Sequence, residues 1–411
     1  MPDFKSNTKE VDVLIIGAGP SATVAASILH KKGYTVHIVE KQKFPRFVIG
    51  ESLLPRCMEN FQKANLIETI ESHGFQKKFG AMFAKADEYC DFEFANQFTE
   101  GWGWTWQVQR ADFDKVLAEE VQNRGVTLEY ETEVTDVKFE NDGSSTTTVK
   151  NKDSEYYIKA RYIVDSSGYG KVLPRLLNLE KPSNLPPRTS IFCHVKPRQV
   201  SESPERKRII IIVHLDNVWG WVIPFSDGTS SIGMVGDSEE MDNIKGSMEE
   251  QMRHWIANVQ ALRDRFTDSE FIFEPRKIAG YSSDVKQLHG KGYVLTGNAS
   301  GFLDPIFSSG VTLATESSAL AAELIEKELE GEPVDWDLSY TEHIKKGNAV
   351  FKAFIEAWYR GDLQKIFFSE NRNEKIRKQI CSVLAGYVWD QNNPFVTKPE
   401  RILANLSQVI R

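Results

Sequence analysis

The sequence predicts an α/β fold in three parts: a dinucleotide-binding domain built on parallel strands, a mostly antiparallel sheet inserted into it, and a helical C-terminal segment. Three stretches carry that prediction. Asp12–Glu40 reads as strand, glycine turn, helix, strand and acid. Ser190–Val235 alternates as an antiparallel sheet does, and from Trp336 the chain reads as helical to its end.

The first stretch sets the rest. Asp12–Ile16 is a short apolar run, suited to a strand buried on both faces. Gly17-Ala18-Gly19-Pro20-Ser21-Ala22 follows, then a helical segment to about Lys32 and a β-branched run, Thr35–Val39, that ends on Glu40. Gly17 permits the tight turn, Gly19 lets the backbone approach a pyrophosphate, and Ala22 is small enough for close helix–strand packing. The start of the helix offers free N–H groups and a positive dipole end. Glu40, 23 positions after Gly17, falls where a carboxylate holds a ribose 2′-OH. An acid there repels a 2′-phosphate, which argues against NADP and leaves FAD and NAD open.

The bulk composition narrows the class. With 411 residues there is room for two or three domains or one large composite one, and 41% hydrophobic with 26% charged residues is ordinary for a globular protein. A net charge of −8 gives no support for nucleic-acid binding. The first ten residues are polar, unlike a signal peptide, and no apolar run of about eighteen residues lies outside the glycine-broken first unit, so no membrane span is expected. Cys57, Cys90, Cys193 and Cys381 are scattered without a C-x-x-C pair and read as buried reduced thiols of a cytoplasmic protein; no metal site is expected.

Between Lys41 and Pro55 two prolines bracket a loop whose apolar stretch, Phe44–Leu54, suggests packing over a ring system. Arg56 to about Glu71 has the pattern of one amphipathic helix. Trp102, Trp104 and Trp106 alternate, which places them on one strand face, either as core or as the lining of an aromatic-binding cavity. Arg110 enters a helix running to about Asn123 and is placed to reach a phosphate or to pair with Asp114. Leu128–Val137 and Tyr156–Val164 are strand-like around a polar hairpin at Glu140–Lys150, and the second run lands on Asp165-Ser166-Ser167-Gly168, another glycine turn. Ile209–His214, Gly220–Pro224 and Ser231–Val235 are the antiparallel strands, Asp242–Arg265 is helical and Lys277–Ser282 a strand. Late in the chain, Tyr293–Thr296 is a strand, Gly297–Gly310 an irregular loop and Val311 onward a small-residue helix, with Ser309-Gly310 exposing N–H groups at its start.

Taken together, Gly17–Ala22 with Glu40, Arg110-Ala111-Asp112-Phe113-Asp114, Asp165-Ser166-Ser167-Gly168 and the Gly297–Pro305 block resemble the Rossmann-like FAD-binding fold of the aromatic hydroxylase superfamily, which also holds the geranylgeranyl reductases and the flavin-dependent halogenases. The resemblance implies FAD rather than NAD. It assigns Glu40 to the adenosine ribose, Arg110 to the pyrophosphate region, Val134 to the adenine, and the loop at Asn298 to the ribityl chain and isoalloxazine. Lys41, Ser52, Gly168, Asp304, Gly310 and Val311 join the cofactor set. The family usually has Gly-Asp where this chain has Gly297-Asn298, which keeps a hydrogen-bonding side chain and drops a charge. The FAD-binding domain is then discontinuous, over residues 1–73, 109–180 and 281–332, with substrate-sheet strands in 74–108, an antiparallel substrate domain in 181–280 and the helical segment in 333–411.

Three features resemble the halogenase branch more narrowly. Trp219-Gly220-Trp221-Val222-Ile223-Pro224 matches its W-x-W-x-I-P. Phe44-Pro45-Arg46 through Gly50-Glu51-Ser52-Leu53-Leu54-Pro55, followed by Gly74-Phe75-x-x-Lys78-x-Gly80, looks like the section that carries the halogenase lysine. Asp304-Pro305-Ile306-Phe307-Ser308-Ser309-Gly310-Val311 is similar to the halogenases of phenols and pyrroles, whereas the tryptophan halogenases have a glutamate where Phe307 stands. By resemblance, reduced flavin and O₂ give a C4a-hydroperoxide that chloride or bromide attacks, and Lys78 delivers the resulting hypohalous acid to an electron-rich ring. Ser308, Ser309 and Gly310 would hold the halide, and Trp219, Trp221 and Pro224 would line the substrate pocket. Substrate would enter between the sheet and the C-terminal helices, and a separate flavin reductase would supply FADH₂.

Each residue has a plainer reading. Lys78 adjoins Lys77, as on a solvated surface; Trp219 and Trp221 suit core packing; and Asp304 before Pro305 suits a capping role. The alternatives for function are an FAD-dependent monooxygenase or polyprenyl-type reductase, and a flavin-binding protein without turnover.

Overall fold

A computed structural model describes residues 8–197, 207–215, 217–370 and 373–410. The first sheet has the order His289–Gly290, Tyr293–Leu295, Glu155–Asp165, Thr8–Ile16, Val36–Val39, Thr127–Glu129; its first pairing is antiparallel and the other four are parallel. Val13, Leu14 and Ile15 are completely buried, because helices cover this sheet as its apolar run requires. The helix Pro20–Lys31 packs against the long helix Gly310–Leu329, so two segments nearly 300 residues apart share one layer. A hairpin, Glu133–Phe139 and Ser145–Lys150, extends the sheet antiparallel to Glu155–Asp165.

The second sheet runs Glu270–Phe271, Arg188–Lys196, Ser230–Asp237, Val218–Pro224, Ile209–Leu215, Gly80–Lys85, Glu88–Glu93. All its pairings are antiparallel except that between Ile209–Leu215 and Gly80–Lys85. Period-2 alternation gives it two buried faces. Val218 and Val222 meet the helices Met248–Asn258 and Gln260–Phe266, while Trp219, Trp221 and Ile223 share a core with the C-terminal helices. Gly233 is required opposite Trp221, because a Cβ there would stand 2.3 Å from the indole.

Several expectations are corrected. The helix read over Arg56–Glu71 is two helices, Cys57–Lys63 and Ile67–His73; between them Asn65 adopts a left-handed conformation (φ +56°) that asparagine tolerates better than most residues. The polar hairpin contains a strand of its own, Ser145–Lys150, whose Ser145, Thr147 and Val149 point inward; β-branched threonines suit it. The helical run Asp242–Arg265 is broken into Ser238–Asp242, Met248–Asn258 and Gln260–Phe266. Between the strand Gly80–Lys85 and the C-terminal helices the rings are closely packed: Phe83 lies 4.7 Å from Phe367 and 5.6 Å from Trp358, and Phe354 is fully buried. Among the described residues, no helix is long and apolar enough to cross a membrane. All four cysteines are buried.

Candidate active site

The glycine turn is shaped by sheet register. Ile16 pairs with Asp165, so the Gly17 turn and the Ser166–Gly168 turn leave adjacent strand ends back to back. Gly17 has φ +95°, and a Cβ on it would lie 2.6 Å from the Ser166 carbonyl oxygen. The amide of Gly17 donates to the Val39 carbonyl, which ties the turn to the second strand. Gly19 caps Pro20–Lys31 without any side-chain hydrogen bond, and the first turn carries no acid. The helix Gly310–Leu329 starts in the same way from Ser309. Both starts face one cavity of about 590 Å³, so two positive helix ends converge on it. Gly17→Ala is therefore expected to lower FAD affinity by at least tenfold, read by flavin fluorescence titration, since the methyl group has only backbone to displace.

Glu40, at the end of Val36–Val39, accepts from the Ala18 amide at 2.9 Å and from the Gln42 amide at 2.8 Å, and its side chain borders the cavity. Asp114 is wholly buried. It accepts Nε and Nη2 of Arg110 at 2.7 and 3.0 Å and Nη1 of Arg46 at 2.9 Å. Both readings of Arg110 therefore hold at once: it pairs with Asp114, and its side chain lines the cavity. Burial works against the charge of Arg110, and Asp114 more than offsets this, holding its pKa above the ordinary value. Three hydroxyls close the floor: Ser21 and Ser166 stand 2.9 and 2.7 Å from Oγ1 of Thr296, joining three remote segments.

The late loop is braced from behind. Asp304 accepts from the Ile306 amide at 3.0 Å and so caps the turn Pro305–Phe307. Its other oxygen accepts from the Tyr359 hydroxyl at 2.9 Å, which in turn accepts from Nε1 of Trp219 at 2.9 Å. Burial pushes the Asp304 carboxyl up to about 6, against the hydrogen bonds from Ile306 and Tyr359. Ser308 is left-handed (φ +55°), turning the chain into the helix at Gly310. Phe307 packs edge-on between Phe354 and Trp358.

Lys78 and Lys77 part company. In the strand Gln76–Lys78, paired with Thr105–Gln107, consecutive side chains point opposite ways. Lys77 is solvated and bonded to Glu71; Lys78 is 2% exposed. Its Nζ donates to Ser52 Oγ at 2.8 Å and to the Leu53 carbonyl at 2.7 Å, and lies 5.3 Å from the Phe94 ring centre. Among the described residues no carboxylate pairs with it, and burial pushes its pKa down to about 7.

Of the residues singled out in the sequence, Gly17, Gly19, Pro20, Ser21, Glu40, Lys41, Ser52, Arg110, Gly168, Asn298, Ser308, Gly310 and Val311, with Trp219 and Trp221, border the one cavity. Ala18 and Ala22 are packed beneath it. Lys78, Asp304 and Ser309 stand behind its wall, Lys78 by one residue through Ser52. Val134 is not at the wall: it is an inward position of Glu133–Phe139 and belongs to the core. Pro224 is also off the wall, its carbonyl accepting from the Gln107 side chain. Of the three alternating tryptophans only Trp106 lies in a strand, Thr105–Gln107, and in the core; Trp104 and Trp102, half-buried, stack edge to face against it in series (5.1 and 5.5 Å), and none of the three borders the cavity. Sequence reasoning missed Ser190, Tyr281 and Thr296 on the wall, which carried no local signal; Arg46 and Glu51, also on the wall, were legible only as parts of the Phe44–Pro55 motif, without a role of their own.

An elongated cavity with two helix starts, two arginines and a ribose-ready carboxylate fits FAD. The comparisons agree. The model of the FAD binding domain family matches residues 10–289. The chain is 30% identical to a 1H-pyrrole-2-carbonyl-(peptidyl-carrier protein) chlorinase of Pseudomonas fluorescens, over 92% of this chain and 90% of that one. It is 28% identical to the corresponding brominase of Pseudoalteromonas luteoviolacea, over 95% and 94%. Among solved structures it is similar to a flavoprotein/dehydrogenase from Cytophaga hutchinsonii (TM-score 0.95, 50% identity, 98% of each chain) and to a flavin-dependent brominase (TM-score 0.85, 25% identity, 98% and 99%).

Proposed function

The chain belongs to the FAD binding domain family, and from that premise we propose that it is a two-component, FADH₂-dependent halogenase of an electron-rich aromatic ring, of phenol or pyrrole type, free or tethered to a carrier protein. A separate flavin reductase supplies the reduced cofactor, chloride or bromide is the co-substrate, and the cytoplasm is the compartment. The observation that carries the reading is Lys78, a buried amine with no counter-ion among the described residues, one residue behind the cofactor cavity. Such a group destabilises the fold and is retained for its chemistry.

When bound, reduced FAD and O₂ supply the oxidant that converts halide to hypohalous acid. The protein's own residues do the rest. Ser308 turns the backbone so that the amides at Ser309 and Gly310 open towards a desolvated anion. Lys78, near neutrality partly amine and partly ammonium, either takes the halogen on nitrogen or holds hypohalous acid by hydrogen bonding. Ser52 accepts from Lys78 and borders the cavity, so it stands between the two places. Trp219 and Trp221 line the cavity on its sheet side.

The test loads the protein anaerobically with FADH₂ and mixes it with oxygenated buffer, with and without halide. Halide-dependent halogenation of a phenolic trap is the expected result. Flavin oxidation that ignores halide and leaves the trap unmodified overturns the reading.

A further inference from the structure

One helix grips the late loop from behind. Glu342–Tyr359 sends Phe354 and Trp358 against Phe307, at 6.1 and 6.0 Å between ring centres, and its last residue, Tyr359, reaches Asp304 at the head of the same loop. The Tyr359 ring is held in its turn by the Arg188 guanidinium, 3.9 Å from the ring centre. Arg188 is itself anchored by the Asp237 carboxylate and the Asn217 carbonyl, each 3.3 Å away. The hydroxyl therefore stands in one place, and none of the halogen chemistry above uses it.

The hydrogen-bond chain through that hydroxyl runs one way. An indole N–H donates and cannot accept, so the Tyr359 oxygen takes the bond from Trp219 and gives its own proton to Asp304. Asp304 then accepts twice, from Tyr359 and from the Ile306 amide. The two ends of the chain lie at different walls of the cavity: Trp219 borders it from the sheet, and Pro305, Ile306, Ser308 and Gly310 border it from the loop. Tyr359, 2.9 Å from each neighbour, is the link between them.

The loop needs such a brace. Ser308 is held at φ +55°, a left-handed conformation that a residue with a Cβ adopts where its surroundings impose it. The helix Gly310–Leu329 then starts without a side-chain cap, so the turn before it sets the direction of its first amides. That turn is fixed by Asp304 at its head and by the Ser308 amide, which donates to the Pro305 carbonyl at 2.9 Å. We propose that Tyr359 is a positioning residue for the halide: its hydroxyl clamps the Asp304-headed turn to the indole of Trp219, and the C-terminal helix thereby sets the angle at which the Ser309 and Gly310 amides meet the anion.

This clamp rests on the halide seat read above, so halide binding is measured apart from turnover. Bromide is titrated into the FAD-loaded, oxidised protein and followed by the change in flavin absorbance, which should saturate for wild type. Tyr359→Phe keeps the ring and its Arg188 contact and removes only the hydroxyl. Its dissociation constant for bromide should rise about tenfold, as for the loss of one hydrogen bond to a charged group. In turnover the halide KM should rise by the same factor, with kcat at saturating halide little changed. Asp304→Asn leaves one acceptor oxygen for two donors and should weaken bromide similarly; it carries the test if Tyr359→Phe fails to fold. Added to Tyr359→Phe it should cost nothing more, because the one acceptor then serves the one remaining donor. A purely structural role would lower the melting temperature and leave both halide constants unmoved. Halide constants that are equal in wild type and Tyr359→Phe, or losses that add in full in the double variant, overturn the clamp alone. A wild type that neither binds bromide nor halogenates the phenolic trap overturns the halogenase reading and the clamp with it.

Discussion

Lys78→Met is expected to abolish halogen transfer and yet to raise the melting temperature. The amine is buried, and its pKa falls from 10.5 to about 7. Between those values the unfolded chain binds the proton and the native state releases it, so the native state gains stability as pH rises through that window. At and below neutrality the whole penalty is present, about 5 kcal/mol. Methionine has a similar length and no charge to desolvate, so melting of the variant at neutral pH should lie above wild type, and the gap should close in strongly alkaline buffer. Halogenation of the phenolic trap should fall by ~10²–10⁴-fold, the usual range for a lost proton-transfer or nucleophilic group. FADH₂ oxidation by O₂ should continue at the wild-type rate. A variant that melts lower and still halogenates would make Lys78 a structural residue.

The second large effect lies at Asp114. One carboxylate, wholly buried, satisfies Arg110 with two bonds and Arg46 with one. Asp114→Ala would leave the Arg110 guanidinium without its carboxylate and Arg46 with only Glu40, 3.9 Å away, which costs about 3–5 kcal/mol when a buried pair is broken. Divided by the unfolding entropy of a chain of 411 residues, this corresponds to roughly 3–6 °C in melting temperature. Cofactor affinity should fall too, because both arginines lose their orientation. Asp114→Asn retains an acceptor and should recover part of the stability; an unchanged melting curve for Asp114→Ala would show that water compensates for the missing carboxylate.

What was legible in the sequence was local. The first strand, the glycine turn and Glu40 follow one another within thirty residues, and each has a specific steric or electrostatic job. The pairing of Arg110 with Asp114 is an i,i+4 relation on one helix and could be seen in advance; the approach of Arg46 to the same carboxylate could not. The hydroxyl cluster of Ser21, Ser166 and Thr296 spans 275 residues, and nothing near any of the three marks the others. Lys77 and Lys78 look alike in composition, and only the register of their strand with Thr105–Gln107 buries one and exposes the other. The break at Asn65 escaped the helical pattern because apolar periodicity continues across it while a single left-handed residue redirects the chain. Val134 was placed by the adenine on the resemblance alone; its side chain is buried in the core.

The joining of Pro20–Lys31 to Gly310–Leu329 in one layer has a consequence for how the protein comes into being on the ribosome. The Gly17 turn and Glu40 emerge early, but the wall that faces them, from Thr296 to Val311, is encoded 270 positions after Glu40 at Gly310. At about 5–20 residues per second, roughly 15–50 s separate the two during translation. Within that interval the strand Glu155–Asp165, once made, waits 128 further positions for its Tyr293–Leu295 neighbour, and the nascent chain has half a groove. Flavin is therefore captured by a finished chain and not by a growing one, and cells short of flavin should accumulate full-length apoprotein in place of stalled fragments.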